Sequence, residues 1–88
     1  MHGKIEDWND GWYGINLGLA VPEIDRLIVL LTKLREDPDQ HFHISSDCSG
    51  SGGLGDIEIY VAEAGFPSNL KLGGVALATN SGLPAAGA

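Results

Sequence analysis

The hydrophobic and polar positions of this chain change period twice, and the changes mark its elements. Residues 2–8 alternate, His2, Lys4 and Glu6 against Gly3, Ile5 and Asp7, as a short edge strand would. Asn9-Asp10-Gly11 is a turn signal. From Tyr13 the alternation is clearer: Tyr13, Ile15, Leu17 and Leu19 share one side, and Gly14, Asn16 and Gly18 share the other. That pattern predicts a strand with one buried face and one stripped of side chains.

Pro22 then opens a segment of helical period. Ile24, Leu27, Ile28, Leu31 and Leu34 recur at helical spacing, with Val29 and Leu30 widening the stripe. Glu23 and Asp25 stand in the first turn, while Lys33 and Arg35 stand near the last, as the helix dipole favours. Pro38 ends the helix near Glu36 or Asp37, because the residue before a proline avoids helical backbone angles.

The period returns to two at His41-Phe42-His43-Ile44-Ser45-Ser46, predicting a strand over 41–46 with Phe42 and Ile44 inward. A flexible glycine-rich connection runs from Cys48 to Gly55, and Ile57, Ile59 and Val61 then alternate with Asp56, Glu58, Tyr60 and Ala62. Two alternating segments joined in this way predict a β-hairpin. Ala64 to Asn69 reads as a turn, and 70–78 as a last strand, with a bulge at Gly73-Gly74 bringing Leu70, Leu72, Val75 and Leu77 to one face.

The order is β-α-β-β-β, with the strand at 2–8 as an extra N-terminal element. The fold class expected is α+β: a single domain over 1–79, with one amphipathic helix on one face of a mostly antiparallel four-stranded sheet. Residues 80–88 are expected to be a mobile tail. The strand from Tyr13 and the strand after the helix are expected in one sheet, whose other face stays open. By parity that open face carries Asn16, His41, His43, Ser45, Glu58 and Tyr60, with Trp12 at its edge.

Composition narrows the function classes. The 88 residues carry 12 acidic and 5 basic side chains, a net charge of −7. Nucleic acid and anionic membrane surfaces repel such a chain, so neither is an expected partner, whereas a basic protein or a cation is attracted. With Cys48 as the one cysteine, no internal disulfide is possible, and a reducing cytoplasm is the expected compartment. The first residues lack an apolar stretch of signal-peptide length.

His41 and His43 have a spacing used by metal sites, which Cys48 or Glu58 could complete. Without a second ligand pair at firm spacing, the pattern favours solvent-facing histidines, and no cofactor is expected. Gly50, Gly52 and Gly55 match the dinucleotide fingerprint in letters only, since a strand follows where a helix must. Cys48 precedes a loose loop, a poor platform for a catalytic thiol. Asp47, Asp56 and Glu58 read as a solvated acidic rim. Trp8, Trp12 and Tyr13, ringed by Glu6, Asp7 and Asp10, suit a hot spot for a cationic partner.

The strand, leucine-rich helix, His-Phe-His-Ile strand, polar gap and Ile-Glu-Ile-Tyr-Val strand resemble small bacterial immunity proteins of toxin systems. The likeness is to the compact α+β group with a His-x-His strand, and it covers roughly Tyr13 to Val61. It implies a cytoplasmic antidote that binds a toxin domain stoichiometrically and has no catalysis of its own. The expected function is therefore a small acidic binding protein that neutralises a basic toxin domain through Trp12, Asn16, His41, His43, Glu58 and Tyr60. Two alternatives stand beside it: a metal-binding protein or small metal-dependent enzyme using His41 and His43, and a homodimer or larger homo-oligomer acting as an interaction module.

Overall fold

The computed structural model describes residues 1–73. The fold is α+β: strand β1 (His2–Asp7), strand β2 (Tyr13–Gly18), helix α1 (Val21–Glu36), strand β3 (His41–Ser45) and strand β4 (Asp56–Tyr60). Both sheets are antiparallel hairpins, β1 with β2 and β3 with β4.

In the first hairpin Ile5 stands opposite Ile15, and Lys4 opposite Asn16. Its loop is closed by the Trp8 N–H donating to the Trp12 carbonyl at 3.1 Å. Inside the loop the Asp7 carboxylate accepts the Asn9 N–H at 2.8 Å, and the Asp10 carboxylate accepts the Trp12 N–H at 3.0 Å. Asn9 and Gly11 take positive φ, 61° and 93°, values that asparagine and glycine tolerate best.

The expected pairing of the Tyr13 strand with the strand after the helix is corrected: β2 pairs with β1 instead. Closing the short connection from Asp7 to Tyr13 costs less chain entropy than bringing β2 to β3 across the helix. The four-stranded sheet is therefore split into two hairpins. The expected strand over 70–78 is corrected where it can be seen: Leu70 and Leu72 lie outside any strand, 84 % and 95 % exposed. Residues 74–78, and the tail 80–88, lie outside the described residues.

Helix α1 begins one residue before the expected proline. Ala20 is its N-cap, and the Glu23 carboxylate accepts the Ala20 N–H at 2.9 Å, one half of a capping box. The second Glu23 oxygen meets the Met1 ammonium at 2.9 Å. At the other end the Asp37 N–H reaches the Lys33 carbonyl at 3.0 Å. The inward stripe of the helix is Leu27 and Leu30, half-buried, and Leu34, the one buried hydrophobic among the described residues at 6 % exposure. Ile24, Ile28 and Leu31, expected inside, are on the exposed side.

Leu27 and Leu30 meet Phe42 and Ile44 of β3 across a cleft of about 430 Å³. The two hairpins meet where Leu54 lies on Gly3 so closely that a Cβ there would stand 2.9 Å from the Leu54 Cδ2. A side chain at position 3 would have to displace the end of Leu54.

Candidate functional site

Strict alternation along β3 and β4 sorts their side chains. Phe42, Ile44, Ile57 and Ile59 are half-buried, while His41, His43, Ser45, Asp56, Glu58 and Tyr60 are exposed. The register sets His41 opposite Tyr60, His43 opposite Glu58 and Ser45 opposite Asp56. Residues opposite each other on one face of an antiparallel pair are in side-chain reach, so the polar face becomes three cross-strand pairs in a row.

The geometry within that row is specific. The Asp56 carboxylate lies 2.9 and 3.1 Å from His43 Nδ1, and it accepts the Ser45 hydroxyl at 2.7 Å. Ser45 first, and His43 after it, hold the Asp56 carboxyl below the usual aspartate range. An ionised Asp56 accepts the proton of Nδ1, which leaves Nε2 of His43 as the outward-facing nitrogen. That Nε2 lies 4.0 Å from Glu58 Oε1, and His41 Nε2 lies 3.7 Å from the same oxygen. The two imidazoles stand edge to face, their centroids 5.0 Å apart. His41, His43 and Glu58 together offer three ligand atoms that all lie within 4.8 Å of one another.

Five of the expected face residues, His41, His43, Ser45, Glu58 and Tyr60, are thus brought together by this hairpin. The other two are not. Asn16 belongs to the first hairpin, where its side-chain amide donates to Glu6 at 3.2 Å, and Trp12 ends that hairpin's loop, 70 % exposed. The expected single face of three strands is therefore two surfaces, because β2 pairs with β1 and not with β3.

Cys48, a candidate ligand by sequence, sits outside the cluster in the connecting loop, exposed and with φ of +56°. The loop itself is tied down locally: Ser46 Oγ accepts the Cys48 N–H at 2.9 Å, and Asp47 accepts both the N–H and the hydroxyl of Ser49, at 3.2 and 3.0 Å. Those two bonds, the backbone N–H first, draw the Asp47 carboxyl below its ordinary range. The loop is closed by the Ser46 N–H donating to the Gly55 carbonyl at 2.9 Å.

Asp56 is the residue that sequence reasoning left in the acidic rim. Its parity with Glu58 and Tyr60 already assigned it to the same face; only the register shows that it falls opposite Ser45 and beside His43.

The described residues contain no helix long and apolar enough to cross a membrane. No protein-family model, curated protein or solved structure matches the chain.

Proposed function

We propose that this chain is a stoichiometric binding module for a basic protein domain, acting by occupancy and not by catalysis. The observation that carries the reading is the apolar surface left in water. Trp12, Tyr13, Ile15 and Trp8 of the first hairpin are 70 %, 64 %, 58 % and 55 % exposed, while Leu34 is the one buried hydrophobic among the described residues. Exposed apolar surface marks interaction sites, and tryptophan and tyrosine are enriched in binding hot spots.

Glu6, Asp7 and Asp10 neighbour these aromatics along the chain, and the whole chain carries −7. A basic partner gains from both the aromatics and the acidic residues, and its encounter is steered by the field. A second copy of the same chain would bring like charge against like charge. Against catalysis stands the absence of any buried polar or charged side chain among the described residues. Activated acids, bases and nucleophiles draw their altered reactivity from desolvated surroundings.

The resemblance to immunity proteins supports a toxin domain as the basic partner. The test is light scattering on the chain alone and on the chain mixed with the product of the neighbouring reading frame. The reading expects a one-to-one complex that weakens as salt rises and that Trp12→Ala weakens about tenfold or more. A stable homodimer of the isolated chain, or a complex indifferent to Trp12→Ala, would overturn it.

A further inference from the structure

We propose that His41, His43 and Glu58 form a binding site for one divalent metal ion of the zinc class, with Asp56 and Ser45 holding His43 in its ligating orientation. This assignment concerns the second hairpin and stands apart from the protein-binding reading of the first.

The three ligands come from adjacent strands, so the sheet itself sets their spacing. His41 and His43 are next-but-one on β3, and Glu58 is directly opposite His43 on β4. Their ligating atoms already converge: Glu58 Oε1 lies 3.7 Å from His41 Nε2 and 4.0 Å from His43 Nε2, and no two ligand atoms of the three are farther apart than 4.8 Å. Donors on a tetrahedral zinc lie roughly 3.4 Å apart, given bond lengths near 2.1 Å. Metal binding would draw these atoms together through side-chain rotation.

Support behind one of the ligands is in place as well. A ligating histidine characteristically donates its other ring N–H to a carboxylate, which fixes the tautomer and the ring plane. The Asp56 carboxylate does this for His43 Nδ1 at 2.9 Å and is itself anchored by the Ser45 hydroxyl at 2.7 Å. The chemistry of the set is selective. Two imidazoles and one carboxylate suit zinc and its neighbours, whereas magnesium and calcium prefer oxygen alone. Glu58 and Asp56 together balance the ion's double charge. All three ligand side chains are about half exposed, 52 %, 42 % and 49 % in chain order, so a fourth position faces solvent for water or another donor.

The test is calorimetric titration of the full chain with zinc chloride, alone and with excess magnesium or calcium. The expected result is one zinc per chain, not displaced by either competitor. His41→Ala, His43→Ala and Glu58→Gln should each weaken zinc binding about tenfold or more, and Asp56→Asn roughly 10–100-fold. Cys48→Ser should leave it unchanged. Asp56→Asn should also release His43 from its single tautomer, read from imidazole nitrogen shifts, which a merely structural role would not do. In the native chain, zinc should move the ring signals of His41 and His43 and spare those of His2, a readout that needs no variant to fold. Absent one-to-one binding, native affinity in His43→Ala, loss of binding in Cys48→Ser, or a response centred on His2 would each overturn the assignment.

Discussion

The Asp56 carboxylate grips a single nitrogen of His43 with both of its oxygens, at 2.9 and 3.1 Å from Nδ1. The contact spans the hairpin diagonally, because His43 stands opposite Glu58 and Asp56 opposite Ser45. Removing the acceptor should free the ring while leaving the hairpin paired. In Asp56→Ala the Nδ1–H tautomer of His43 should lose its dominance, measured from imidazole nitrogen shifts at neutral pH, with circular dichroism unchanged. A His43 tautomer population equal to that of the native chain would contradict the contact.

Glu23 joins the helix start to the Met1 ammonium and to the Ala20 N–H. The Ala20 hydrogen bond foremost, then the ammonium, holds its carboxyl below the ordinary value of 4.5. A carboxylate with a lowered folded-state pKa stabilises the fold fully above its unfolded value, and the contribution fades as pH falls through the folded one. Glu23→Ala should therefore melt at lower temperature than the native chain at pH 7. The gap should close progressively as pH is taken below 4.5. A gap that stays constant with pH would remove the ionised cap from the account.

Two neighbouring turns of the helix offer a contrast. Leu34 is 6 % exposed and Ile28 is 56 % exposed, although both lie on the apolar pattern. Leu34→Ala should cost about 2–3 kcal/mol in urea denaturation, through lost burial and the cavity left behind. Ile28→Ala should stay within about 0.5 kcal/mol, since it removes surface already in water. Equal costs would mean that the helix is rotated from the orientation described.

The indole of Trp8 lies across Gly14, where an added Cβ would stand 3.1 Å from ring atom Cζ2 and 3.3 Å from Nε1. Gly14→Ala should push the ring outward, shifting tryptophan emission to the red and lowering stability. Gly18→Ala is the control, because its nearest neighbours would be 3.9 Å away. The shift should persist in the Trp12→Phe background, which isolates the signal of Trp8.

Much of this architecture is legible in the residues alone, wherever a rule is local. The alternation at 41–46 and 56–62, with a glycine-rich connection between, dictates a hairpin whose outer face is histidine, serine and carboxylate. Likewise, Asn9-Asp10-Gly11 dictates a turn, and Pro22, Glu23 and Pro38 bound a helix. These follow from side-chain parity, positive-φ tolerance and proline sterics, each acting over a few residues.

Relationships between distant segments do not follow from such local rules. Periodicity does not reveal that β2 pairs with β1, so it assigns Asn16 and Trp12 to a face they do not join. Nor could it choose between the two apolar stripes of α1, since Ile24, Ile28 and Leu31 fit helical spacing as well as Leu27, Leu30 and Leu34 do. Alternation places His41 with His43 on one side of β3, and Asp56 with Glu58 on one side of β4. Only the strand register, a relationship between chain segments joined by a loop, brought His43 within 2.9 Å of Asp56 and turned the free imidazole nitrogens toward Glu58.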